Sequence, residues 1–184
     1  ISGISINPAS CNFILPKKSF MKKIILIAIV AMSAMAFTLN TVLPIGSEMP
    51  KADLKMKDIS GKMVSIKDAV KEKGVLVMFS CNTCPYVIKN EERTVEIGNY
   101  AKKMNVGVIL LNSNEAQRSD DDSYDEMKKY AAAKKYGWHY VIDEKSEVAD
   151  AFGANRTPEC FLFDKNLKLV YHGAIDDNPS DASN

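Results

Sequence analysis

Two cysteines separated by two residues, Cys81-Asn82-Thr83-Cys84, stand directly after an apolar run and directly before Pro85. Sulfur in such a setting has three uses: a redox pair, half of a metal site, or inert structure. Val75-Leu76-Val77-Met78-Phe79 reads as a buried strand that runs out at Ser80. Pro85 suits the first position of a helix, where a backbone N–H is not needed. The strand therefore delivers both sulfurs to the start of a helix, where unpaired N–H groups and the positive end of the helix dipole favour a thiolate. Zinc would ask for a second pair of cysteines or histidines at ligand spacing, and the sequence offers none. The redox reading leads, with Cys81 and Cys84 as the reacting groups.

Other candidates are weaker. The chain has four cysteines, too few and too unevenly spaced for a disulfide scaffold. Cys160 enters an apolar strand and reads as a small core residue. His139 and His172 have no partner at a ligand or catalytic spacing and default to structural or surface roles. Asn112 and Asn114 follow a second apolar run, Val106 to Leu111. If that strand is parallel to the first, they reach the sheet edge where ligands tend to bind. Arg118 to Asp122 is acidic without calcium-loop spacing and reads as a solvated connection. Glu91 and Glu92 read as a solvated helix surface, with a proton relay to the thiols as the alternative.

The elements that must hold these residues follow from breakers and periodicity. Ala52–Lys57 and Met63–Ile66 flank Ser60-Gly61-Lys62 as a hairpin, and one helical turn is expected over Asp68–Lys71. A long helix is expected from Pro85 to about Met104. Ser123-x-x-Glu126 reads as a capping box opening a helix to Lys135. Trp138–Ile142 is extended, and Ser146 caps a short helix ending at Gly153. Thr157-Pro158 precedes the strand Cys160–Phe163, with the proline at a strand's first position or in a cis bond. Leu167 to His172 pairs back as a hairpin.

With 184 residues the chain holds one domain with a sizeable core. Its 24 basic and 23 acidic residues leave a net charge of +1, which gives no support to a nucleic-acid or anionic partner. Residues 1–20 read as an upstream extension. Met21-Lys22-Lys23, the apolar Ile24–Met32 and Ala34-Met35-Ala36 form a secretory signal over 21–36, cleaved after Ala36. Ile24 to Leu39 is about 16 residues, short of the roughly 20 that span a bilayer, so an uncleaved membrane anchor is the alternative. Residues 37–184 then form an exported, periplasmic domain with no membrane attachment after cleavage. The close, Asp181-Ala182-Ser183-Asn184, is loop-like where an α/β sheet calls for a covering helix, which reads as a missing C-terminal helix.

Strand, Cys-x-x-Cys, helix, then Thr-Pro before a hairpin resembles the thioredoxin fold over about residues 44 to 178. More narrowly, Cys81–Val87, Leu111–Asn114, Thr157-Pro158-Glu159 and Tyr171–Asp177 resemble the peroxiredoxin-like branch of the alkyl hydroperoxide reductase/thiol-specific antioxidant (redoxin) family. The resemblance implies an α/β, thioredoxin-like fold: a mixed central β-sheet flanked by helices, with an N-terminal β-hairpin. Members of this branch usually extend into a further C-terminal helix. It also implies two chemistries. In the thioredoxin type, Cys81 attacks a disulfide, Cys84 resolves it and Pro158 is the cis-proline. In the peroxiredoxin type, Cys84 attacks peroxide and Cys81, standing where a threonine belongs, resolves. The peroxiredoxin arginine is expected near Pro158, whereas Arg156 stands two residues away, and Val77 replaces the expected upstream proline. Against the thioredoxin type, Met78 occupies the place of a buried carboxylate. The intact Cys-x-x-Cys with Thr157-Pro158 favours dithiol–disulfide exchange. Thr83, Pro85, Thr157 and Pro158 are the expected supporting residues. The expected partners are a protein disulfide or peroxide and an external thiol donor, with no cofactor. A thiol-based copper binder is a third reading, supported only by copper's liking for thiolate.

Overall fold

A computed structural model of the chain describes residues 41–176 and Asn178. The upstream extension, the signal segment with its cleavage point and the expected C-terminal helix all lie outside the described residues.

β3 (Val75–Ser80) and β4 (Gly107–Asn112) are buried at every position. Both sequences are almost wholly apolar, which suits strands covered on two faces. They run parallel in register from Val75 opposite Gly107 to Ser80 opposite Asn112. β5 (His139–Ile142) lies parallel beside β4. β6 (Glu159–Phe163) lies antiparallel on the other side of β3, and β7 (Leu169–Gly173) closes that edge. The hairpin β1 (Met56–Asp58) and β2 (Met63–Val64) joins β5 through β1. The result is one mixed sheet of seven strands, ordered β2-β1-β5-β4-β3-β6-β7.

Alternation along β3 divides the core. Val75, Val77 and Phe79 join Ile109, Leu111, Phe152 and Phe161 on one face, whereas Leu76 and Met78 join Leu110, Met127, Tyr140 and Cys160 on the other. The first face is covered by α1 (Ile66–Ala69) and α5 (Glu147–Phe152). The second is covered by α3 (Glu91–Lys103) and α4 (Tyr124–Ala133). Phe79, Phe152 and Phe161 meet edge to face with centroids 5.1–5.6 Å apart. Each such side chain contributes about 1.5–3 kcal/mol by burial, so the end of β3 that leads to the thiols is firmly seated.

Several boundaries depart from expectation. The helix after Pro85 is two helices, α2 (Pro85–Lys89) and α3, jointed at Asn90. The buried Asn90 amide donates to the Tyr86 carbonyl at 2.8 Å, competing with the helical ladder there. The single turn after the hairpin begins at Ile66, because Ser65 and Asp68 form a capping box. Ser123 starts α4 without a side-chain cap bond, and α4 ends at Ala133. Ser146 does not cap α5 either: its hydroxyl donates to the Ser113 carbonyl at 2.9 Å. Asp143 takes over that task, accepting from the N–H groups of Val148 and Ala149 at 2.9 Å.

Candidate active site

β3 delivers Ser80 beside Asn112, and the chain then turns through the two cysteines. Cys81 is buried at 4% exposure, whereas Cys84 is partly exposed and caps α2, with Pro85 in its first turn. Facing them, the Thr157–Pro158 bond is cis, and Pro158 leads straight into β6. The Thr157 hydroxyl lies 3.7 Å from the Cys81 sulfur, and the Cys84 thiol donates to the Thr157 carbonyl at 3.4 Å. A cleft of about 650 Å³ opens here, with Cys81, Thr83, Cys84, Pro85 and Thr157 in its wall. Four of the expected site residues and the cis-proline loop thus meet at one end of the sheet.

The two sulfurs differ in acidity. Burial pushes the Cys81 thiol above its ordinary value; the Thr157 hydroxyl opposes this and the Asp122 charge adds to it. Burial also acts on Cys84, but the Thr157 side chain and the backbone N–H groups of Val87 and Tyr86 outweigh it, bringing Cys84 below the ordinary thiol. The more accessible sulfur is therefore also the more acidic one. Cys160 is a core residue as expected, at 3% exposure, its thiol pushed up to about 12 by burial, with the Glu159 charge adding to it.

Ser119, Asp120 and Asp121 of the acidic connection are exposed as expected, but its last residue turns inward beneath the thiols. Asp122 is fully buried. Its Oδ1 accepts from the Asn82 N–H and the Asn112 amide, each at 2.7 Å. Its Oδ2 accepts from the Asn114 amide at 2.7 Å and the Thr83 hydroxyl at 3.3 Å. Arg118 folds the connection inward, donating to the carbonyls of Asn112 at 2.7 Å and Asp122 at 3.0 Å. Tyr140 closes the floor: its hydroxyl donates to Asn82 Oδ1 at 3.0 Å and accepts from the Asn112 amide at 3.1 Å. Asn112 and Asn114 thus support the loop between the cysteines.

Of the two glutamates, Glu92 is exposed as expected. Glu91 is partly buried instead, accepting from the Tyr130 hydroxyl at 2.8 Å and pairing with Lys134. Arg93, two residues on in α3, pairs with Asp176 at 2.8 Å.

Behind the cis-proline loop sits a residue that the sequence reading did not single out. Glu159 is fully buried; its Oε1 meets His172 Nε2 at 2.7 Å and its Oε2 accepts from the Asn155 N–H at 2.9 Å. The signal available was one carboxylate opening an otherwise apolar strand run, which the buried pairing now explains. Arg156 is exposed, lines the cleft and lies 3.7 Å from Glu159. Among the described residues no group of three or more His, Cys, Asp or Glu side chains is placed to hold a metal ion.

A family model described as Redoxin matches residues 44–184 of the chain. Thiol-disulfide oxidoreductase ResA of Geobacillus thermodenitrificans is 26% identical over 133 residues, spanning 72% of this chain and 71% of its own. A solved structure of an uncharacterized conserved protein from Geobacillus kaustophilus superimposes with a TM-score of 0.70 at 33% identity, covering 75% of this chain and 72% of that one. The thioredoxin domain of thiol-disulfide oxidoreductase BVU-2223 from Bacteroides vulgatus gives a TM-score of 0.61 at 23% identity, over 75% of this chain and 94% of that one, a likeness of fold.

Proposed function

The chain belongs to the redoxin family, an oxidoreductase in thioredoxin-like form, and from that premise we propose that it exchanges disulfides through Cys84 as nucleophile and Cys81 as resolver. The observation that carries the order is the contrast between the sulfurs: Cys84 is accessible and favoured as thiolate, Cys81 is buried and favoured as thiol. This is the reverse of the thioredoxin-type order implied by resemblance. The Cys84 thiolate attacks one sulfur of a substrate disulfide, and the other leaves as a thiolate that takes up a proton. Cys81 then gives up its proton and attacks the Cys84 sulfur, closing Cys81–Cys84 and releasing the substrate's second thiol. Two electrons pass to the substrate, and an external thiol donor returns them. Thr83, Pro85, Thr157 and Pro158 shape the seat around this exchange. A protein disulfide is the substrate class. Export to the periplasm is supported by the basic pair, apolar run and Ala34-Met35-Ala36 of the sequence.

A second reading is favoured by the same contrast. An accessible Cys84 thiolate can also attack the O–O bond of a peroxide, forming a sulfenic acid and releasing water. Cys81 would then condense with it to the disulfide, releasing a second water. The deciding experiment mixes the reduced full chain separately with a protein disulfide and with hydrogen peroxide, beside Cys81→Ser and Cys84→Ser. Disulfide reduction lost with Cys84→Ser, and a mixed disulfide trapped with Cys81→Ser, are expected, with peroxide reacting as slowly as with a free thiol. Peroxide consumption about a thousandfold faster than that, lost only in Cys84→Ser, would replace the first reading by the second.

A further inference from the structure

We propose that Asp122, delivered by the connection between β4 and α4, is a positioning residue for the thiol pair: it clamps the bridge between the cysteines and its buried charge assigns attack to Cys84 and resolution to Cys81. The proposal rests on the thiol chemistry argued above. Asn82 and Thr83 are the whole of the bridge, and both donate to the one carboxylate, the first by its backbone N–H at 2.7 Å and the second by its hydroxyl at 3.3 Å. The bridge is held a second time by the Asn82 amide, which donates to the Asp121 carbonyl at 2.7 Å. The geometry of the pair is thus set from a loop about forty residues away in the chain.

Four neutral donors saturate the Asp122 carboxylate, while the Arg118 guanidinium bonds its carbonyl instead. A clamp alone does not need a charge there, and burying a carboxylate among neutral partners is costly. The charge has one evident consequence. It faces the bridge from below and adds to burial in opposing a negative charge on Cys81, against the Thr157 hydroxyl and the N–H groups of Cys84 and Thr83, while Cys84 is turned toward the N–H groups of Tyr86 and Val87 with no such charge opposing it. Cys81 therefore stays a thiol until a mixed disulfide on Cys84 brings it a target. The titratable groups around this centre are Cys81 and Cys84 at the two ends of the bridge, Tyr140 from β5 and Arg118 on the same connection; Glu159, His172 and Arg156 sit behind Thr157.

Alkylation of Cys81 by iodoacetamide across pH, in a Cys84→Ser background with and without Asp122→Asn, tests this. Loss of the charge is expected to lower the Cys81 midpoint by about one pH unit, equivalent to roughly tenfold faster alkylation at a fixed pH below it. A folded Asp122→Asn protein whose Cys81 midpoint stays within about 0.2 unit of the parent overturns the proposal. Should the variant not fold, the unsubstituted protein decides, because coupling between two groups is reciprocal. The carbon-13 resonance of the Asp122 carboxyl is then followed through the Cys81 titration. A step at the Cys81 midpoint is expected, and a flat trace overturns the proposal. These readouts need no substrate, so a shifted midpoint in a protein that reduces no disulfide supports the Asp122 role while sinking the proposed activity.

Discussion

At the scale of single residues the site turns on how one hydroxyl serves two sulfurs. The Thr157 side chain lies 3.7 Å from the Cys81 sulfur and lowers the pKa of both thiols against the effect of burial. Removing it with Thr157→Val leaves burial less opposed, so both alkylation midpoints are expected to rise. A lost hydrogen bond of about 1 kcal/mol corresponds to a rise of roughly half a pH unit or more, or about threefold slower alkylation at pH 7. Thr157→Ser keeps the hydroxyl and should leave both midpoints near the parent. The measurement is iodoacetamide labelling across pH, with each cysteine followed by mass spectrometry. A fall in either midpoint would contradict the role given to the hydroxyl. Cys160 supplies an internal control, since its burial among core side chains keeps it unreactive in the folded protein.

At the scale of elements, the loop before β6 depends on a buried ion-pairing group. Glu159→Ala would strand the Asn155 N–H and His172 Nε2, at a cost of about 1–3 kcal/mol, read as a lower urea midpoint. Because that loop carries Thr157 and Pro158 against the sulfurs, disulfide reduction should fall about tenfold or more even where the variant is folded. Unchanged activity would detach Glu159 from the site. Much of this framework was legible in the chain. The apolar runs Val75–Phe79 and Val106–Leu111 have the character of doubly covered strands, and Thr157-Pro158 marks its own turn. Asp122 was not legible for a physical reason: it is the third of three consecutive aspartates, and composition cannot say which one turns inward. Arg118, folding over the Asn112 carbonyl, and the donors Asn82, Thr83, Asn112 and Asn114 bring it beneath the bridge. The break at Asn90 was hidden in the same way, since a helical period runs through it and one amide interrupts it.

At the scale of the whole molecule, the far edge of the sheet and the thiol bridge are joined through Tyr140. The hairpin at that edge is short, three residues in β1 and two in β2, so pairing alone holds it weakly. Asp58 fastens it. This buried carboxylate accepts from the Tyr140 N–H at 3.0 Å and the Ser60 N–H at 3.0 Å, and lies 3.4 Å from His139. The Tyr140 hydroxyl at the other end of the same residue donates to Asn82. Asp58→Ala is expected to cost about 1–3 kcal/mol at pH 7 by stranding the Tyr140 N–H. Burial raises the Asp58 pKa, but the bonds from His139 and Ser60 outweigh it, so the carboxyl sits below its ordinary value in the folded protein. A group depressed in this way adds stability above its unfolded value, near pH 3.9, and loses it as pH falls through the folded value. Urea unfolding of the parent and Asp58→Ala proteins should therefore differ fully at pH 7 and begin to converge below about pH 4. A gap that stays constant into acid would mean that Asp58 acts through shape alone, and the charge would have no part in holding the hairpin to the sheet.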